Sequence, residues 1–167
     1  MADEGIQLID RALLDRVLEA ARRSPRGRLN HNFHHTPAED PNRFLNAMLA
    51  GTYVAPHRHL TVPKPEMFVA LAGRVSLFTF DDTGRIAGRF LIGESAPGGR
   101  IGIDIAPGIW HTLVVLSPAA ILLEVKPGGY DAATDKQFAP WAPREGDPGA
   151  PEYLARLEAE AREAWEA

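Results

Sequence analysis

Between Arg28 and Lys126, turn residues cut the chain into apolar runs of strand length, and this punctuation limits the fold more than any other feature. Fifteen glycines and 14 prolines are spread over 167 residues. The sharpest breaks are Pro37 to Pro41, Leu60 to Pro65, Asp81 to Gly84, Gly98-Gly99, Pro107-Gly108 and Ser117-Pro118. Between them lie at least seven short runs. In one, Ile101, Ile103 and Ile105 alternate with Gly102 and Asp104, the period-two pattern of a half-buried strand. Asp81-Asp82-Thr83-Gly84 has hairpin-turn chemistry. Asn42 to Ala50 fits a strand or a short helix by periodicity, and its closeness to the next run favours strand. Many short strands joined by tight turns give an all-β sandwich or barrel. His111 to Leu116 and Ala119 to Lys126, with Ser117-Pro118 between them, are expected to form the last hairpin.

The stretch from Gly51 to Gly73 carries the chemistry. Successive strand side chains point to opposite faces, so His57 and His59 project from one face of a strand over residues 52–59. Glu66 opens the next apolar run and supplies a carboxylate, and His111 heads a later strand. Three neutral imidazoles and one carboxylate suit one divalent transition metal: Fe, Zn, Mn or Ni. By parity Tyr53 shares the face of His57 and His59, which makes it the candidate for proton transfer. Arg43 is a candidate substrate clamp, because a guanidinium forks onto carboxylate or phosphate. His31, His34 and His35 crowd the first strand, Arg28 to His35, and read as edge-strand or subunit-contact residues rather than a second metal cluster.

The flanks differ from the centre. Ile6, Ile9, Leu13, Leu14, Val17, Leu18 and Ala21 recur at helical spacing, so residues 6–23 are expected to form an amphipathic helix ended by Ser24-Pro25. Beyond Pro127-Gly128-Gly129 an irregular arm leads to a helix over 152–165. The expected division is an N-terminal helix (1–27), a β-barrel (28–127), and an arm with a helix packing on the barrel (128–167).

Composition removes several function classes. Without cysteine there is no disulfide, thiolate metal site, Fe–S cluster or cysteine nucleophile. A net charge of -4, with no basic segment or helix-turn-helix pattern, gives no reason to expect nucleic acid or an anionic membrane as partner. The acidic start, Met1 to Gly5, is unlike a basic signal peptide, and a cytoplasmic location is the expectation.

These residues resemble the cupin superfamily. Its first motif, G-x5-H-x-H-x3,4-E-x6-G, is met by Gly51, His57, His59, Glu66 and Gly73, with six residues between His59 and Glu66. Its second, P-x-G-x-x-H, is met at Gly108 and His111, with Ala106 at the proline position. From about Arg43 to Gly146 the chain further resembles WbuC-type cupins, through NRFLNAMLAGTYVAPHRH, GRVSLFTFDDTGR, PGIWHTLVVL and EVKPGGYDAATDKQFAPWAPREGD. That family is associated with bacterial O-antigen and surface-polysaccharide gene clusters. The resemblance implies a double-stranded β-helix barrel, the RmlC-like jelly roll, forming a homodimer with one metal at its centre.

The functional expectation is a metal-dependent enzyme, an isomerase or epimerase or an Fe(II) dioxygenase, on a small sugar-derived or hydroxy/keto-acid substrate. Two alternatives stand beside it: a non-catalytic module binding a metal or sugar metabolite, and a metal-independent epimerase using a histidine–carboxylate pair.

Overall fold

The structure of the protein, a computed structural model, describes residues 5–166. The acidic start read at Met1 to Glu4 lies outside them. Ten strands form two five-stranded antiparallel sheets. They are β1 (Arg28–Asn32), β2 (Asn42–Leu49), β3 (His57–Arg58), β4 (Glu66–Ala72), β5 (Arg74–Phe80), β6 (Ile86–Gly93), β7 (Gly102–Ile105), β8 (Trp110–Val115), β9 (Ala119–Lys126) and β10 (Gln137–Phe138). One sheet runs β1-β2-β9-β4-β7 and the other β10-β3-β8-β5-β6.

Apart from β5 and β6, consecutive strands from β2 onward alternate between the sheets. The expected last hairpin is therefore absent: β8 pairs with β5 and β3, and β9 pairs with β2 and β4. Ser117-Pro118 makes a crossing from one sheet to the other. Gly73 makes another, between β4 and β5. It has φ 74°, and a Cβ there would lie 2.2 Å from the Ala119 carbonyl oxygen, so only glycine fits the corner.

Between the sheets the interior is divided along the strands. Met48, Phe68, Leu77, Ile92, Leu113, Val115, Ala120 and Leu122 are among the residues that pack one end into an apolar core. On the same strands, the inward positions toward the other end turn polar: Asn46 on β2, Glu66 on β4, His111 on β8, Glu124 and Lys126 on β9. This change from apolar to polar along alternate residues sets where a cavity forms.

Each sheet carries a helix on its outer face. The helix α1 (Arg11–Arg23) buries Leu13, Val17 and Ala21 against Leu45, Ala47 and Ile121. It begins later than the apolar stripe suggests, because the Asp10 side chain caps it by accepting from the Leu13 amide at 2.8 Å. Ile6, Leu8 and Ile9 precede the cap and are exposed. The helix α2 (Ala150–Glu166) sets Leu154, Leu157 and Ala161 against Phe78, Phe80 and Val114. Each fully buried leucine here contributes about 1.5–3 kcal/mol of transfer free energy.

Candidate metal centre

Register brings the histidines together. His57 on β3 lies directly opposite His111 on β8, with ring centroids 4.5 Å apart. His59 follows two residues later, and Glu66 reaches in from the first position of β4 in the facing sheet. All four side chains are buried, and one ligand atom from each lies within 4.8 Å of all the others. The structure thus gathers His57, His59, Glu66 and His111, as the sequence spacing predicts. The longer gap before Glu66 is taken up by the loop 60–65, whose Lys64 is buried and donates to the Gly129 carbonyl at 2.7 Å and to Asp135 at 3.1 Å.

Hydrogen bonds set the ring orientations. His57 Nδ1 faces the Ala55 carbonyl at 3.0 Å, His111 Nδ1 faces the Ile109 carbonyl at 2.9 Å, and His59 Nδ1 faces the Asp135 carbonyl. A carbonyl oxygen only accepts, so each Nδ1 carries a proton, and in the neutral tautomer that this selects the lone pair is on Nε2. The Nε2 atoms of His59 and His111 then point at the Glu66 carboxylate, at 3.0 and 2.9 Å. Lone pair faces lone pair. His59 Nε2, His111 Nε2 and Glu66 Oε2 are buried with no hydrogen-bond partner, a costly state unless a cation stands between them. Donors bound at about 2.1 Å around one ion lie roughly 3 Å apart when adjacent, so the observed spacings fit a divalent metal. Burial, reinforced by the nearby Lys136 charge, holds the His57 imidazole well below its usual pKa, which keeps it neutral and able to ligate.

Next to the cluster lies a cavity of about 320 Å³, lined by residues that include Glu66, His111, Asn46, Glu124, Lys126 and Lys136. Much of its charge comes from residues that no sequence motif marks. Lys126 Nζ sits 3.0 Å from Asp135, 3.6 Å from Glu66 and 3.8 Å from Glu124. Burial, with the Glu66 carboxylate beside it, pushes the Glu124 carboxyl up to about 8. Burial works against the Asp135 carboxylate too, but Lys126 and Lys64 outweigh it and lower its pKa. The signal for Glu124 and Lys126 was present as two charges at alternate positions in an otherwise apolar strand. Asp135 and Lys136 carry no such mark, because the arm that holds them has no periodicity.

Two expected site residues lie elsewhere. Residues 52–56 join no ladder, so strand parity does not extend from His57 back to Tyr53. The Tyr53 hydroxyl donates to the Pro143 carbonyl at 2.7 Å, and its ring packs edge-on against Tyr153, outside the residues lining the cavity. Burial, then the neighbouring Tyr153, raises its pKa and leaves it a poor proton donor. Arg43 is at an outward position of β2 and pairs with Glu39 at 3.1 Å, whereas its neighbours Asn42 and Phe44 line the cavity. Among the first-strand histidines, His34 touches the Arg43 backbone at the cavity edge, His31 is half-buried and His35 is exposed. None of them joins the cluster of His57.

A family model described as a domain of unknown function, DUF6016, matches residues 9–92, which is half of the chain. The chain belongs to the DUF6016 family. The match runs from α1 through most of β6 and includes His57, His59 and Glu66, whereas His111 lies beyond it. No curated protein matches this DUF6016 chain.

Solved structures resemble it at the level of fold. Protein SO0799 from Shewanella oneidensis aligns with TM-score 0.59 and 8% identity, covering 89% of this chain and 94% of that one. The Klebsiella pneumoniae protein described as having a double-stranded beta-helix domain aligns with TM-score 0.54 and 16% identity, covering 80% and 97%. CapF from Staphylococcus aureus, described as a capsular polysaccharide assembling protein, gives TM-score 0.55 and 19% identity over 69% of this chain. The match covers 32% of CapF, so this chain spans about a third of that protein's length. The shared fold is a double-stranded β-helix. No helix among the described residues is long and apolar enough to cross a membrane.

Proposed function

We propose that this DUF6016 chain is a metal-dependent cupin enzyme acting on a small sugar-derived or hydroxy/keto-acid substrate. The observation that carries this reading is the pair of buried Nε2 lone pairs, on His59 and His111, aimed at the Glu66 carboxylate beside an open cavity. His57, His59, Glu66 and His111 would hold the ion. Once bound, a divalent metal supplies Lewis-acid stabilisation of a developing oxyanion, and iron adds the option of oxygen chemistry. The protein's own groups do the rest. The tied Nδ1 atoms orient the rings. Lys126 places positive charge beside Glu66, and Asn46 donates to Glu124 at 2.8 Å and so fixes that carboxyl inside the cavity. Glu124 replaces Tyr53 as the cavity group able to hold a proton.

The closer kinship we propose is with WbuC-type cupins, and the biological setting is surface-polysaccharide synthesis in the cytoplasm by a homodimer. The long sequence stretches from Arg43 to Gly146 support the first, and the description of CapF as a capsular polysaccharide assembling protein accords with the second. A metal-independent epimerase would also use a histidine–carboxylate pair, and His59 with Glu66 offers one at 3.0 Å. Three imidazoles of one tautomer, rather than a single general base, favour the metal.

The test is elemental mass spectrometry on protein purified without added metal, with His57→Ala and His111→Ala in parallel. About one equivalent of a single transition metal per chain, reduced at least roughly tenfold in both variants, is expected. Protein that takes up no metal under any loading condition would sink the reading.

A further inference from the structure

Part of the cavity wall is built of groups that the chemistry above does not use. On β1, Asn30 and Asn32 are alternate residues and both line the cavity. The register sets Asn30 directly opposite Asn46 on β2, so an amide row crosses from the outer edge strand toward Glu124 and the metal cluster. The Asn30 and Asn32 amides make no hydrogen bond among the described residues. A primary amide both donates and accepts, as a hydroxyl does, so a row of them matches a polyol. Tyr130, half exposed at the same wall, adds a flat apolar face with a polar tip.

The cations lining the cavity are almost all committed. Arg26 and Arg28 pair with Glu145, Arg28 also donates to the Tyr53 carbonyl at 2.8 Å, and Lys126 pairs with Asp135 at 3.0 Å. Lys136 lines the cavity and has neither an ion pair nor a hydrogen bond among the described residues. A cation left unpaired at the wall of a cavity of about 320 Å³ calls for an anionic group on whatever enters. That volume is at the small end of the range for ligand pockets, about 300–1,000 Å³, and suits a single sugar-sized molecule.

We propose that the cavity takes a small polyhydroxylated anion, of the size of a sugar acid or a sugar phosphate. Its carboxylate or phosphate pairs with Lys136, and its hydroxyls bond the amides of Asn30, Asn32 and Asn46. The proposal rests on the functional reading above, in that the anion would lie beside the metal ligands. It narrows the substrate to charged molecules and makes Lys136 the residue that selects them.

The experiment is calorimetric titration of the metal-loaded protein with D-glucuronate, D-glucose 6-phosphate and D-glucose. Either anion is expected to bind at least about tenfold more tightly than glucose, and the tighter of the two identifies the anionic group. Lys136→Met should cut anion affinity roughly 10- to 100-fold and bring it near that of glucose, with metal content unchanged. Asn30→Ala, at an exposed position where misfolding is not expected, should weaken anion and glucose alike by several fold. Equal affinity for glucose and the anions, no effect of Lys136→Met, or no binding of any of the three overturns the proposal. Metal content read on the same samples separates this outcome from failure of the metal site. Should the protein carry no metal, Lys136-dependent anion binding remains measurable on it.

Discussion

Where a proton sits on each imidazole decides what the cluster can hold. Three Nδ1 atoms spend their hydrogens on carbonyls, and one of those carbonyls, at Asp135, belongs to the C-terminal arm. Sequence spacing could place His57, His59, Glu66 and His111 together, because His59 lies one residue past the short ladder that holds His57 and a turn before His111 fixes its entry. It could not place Tyr53, because parity holds only while the backbone stays in a ladder, and Ala55-Pro56 lies between. Tyr53→Phe therefore should leave metal content and any turnover nearly unchanged. It should cost about 1 kcal/mol of stability, read by urea denaturation, since it leaves the Pro143 carbonyl without its donor. A loss of turnover at constant metal content would return Tyr53 to the chemistry.

Among the elements, the strands were legible and their partners were not. Short apolar runs announce strands locally, whereas pairing depends on which corner the chain turns. Ser117-Pro118 looks like a hairpin turn because hairpins are the commonest use of such a turn, yet β8 and β9 end in different sheets. The start of α1 departs from its apolar stripe for a simpler reason. The stripe from Ile6 continues the helical period, but Asp10 satisfies the first free amide and sets the boundary. Gly73 is the corner where the fold is most exposed to a single change. Gly73→Ala puts a Cβ against backbone at a left-handed φ and should destabilise by about 2–4 kcal/mol. The loss should appear in the denaturation midpoint with the slope unchanged. An alanine variant as stable as the parent would mean that the corner relaxes more freely than its contacts allow.

For the whole molecule, the polar half of the barrel interior is a cost that a bound cation would offset. An ion present at about a thousand times its dissociation constant stabilises the folded state by about 4 kcal/mol, which for a chain of 167 residues is a rise in Tm of roughly 10 °C. Chelation should lower Tm by that amount in the parent and by little in His111→Ala. Equal Tm with and without chelator, in protein shown to carry metal, would mean that the interior is self-sufficient. The arm enters this balance directly. Its Asp135 holds Lys64 and Lys126 through its carboxylate and His59 through its carbonyl, and β10 lays Phe138 opposite His57. Residues 128–138 carry no mark of this, since they lack any period. The consequence is one of timing. All four ligands precede Asp135 in the chain, so the His59 ring receives its tie from the Asp135 carbonyl only after the rest of the cluster has been synthesised.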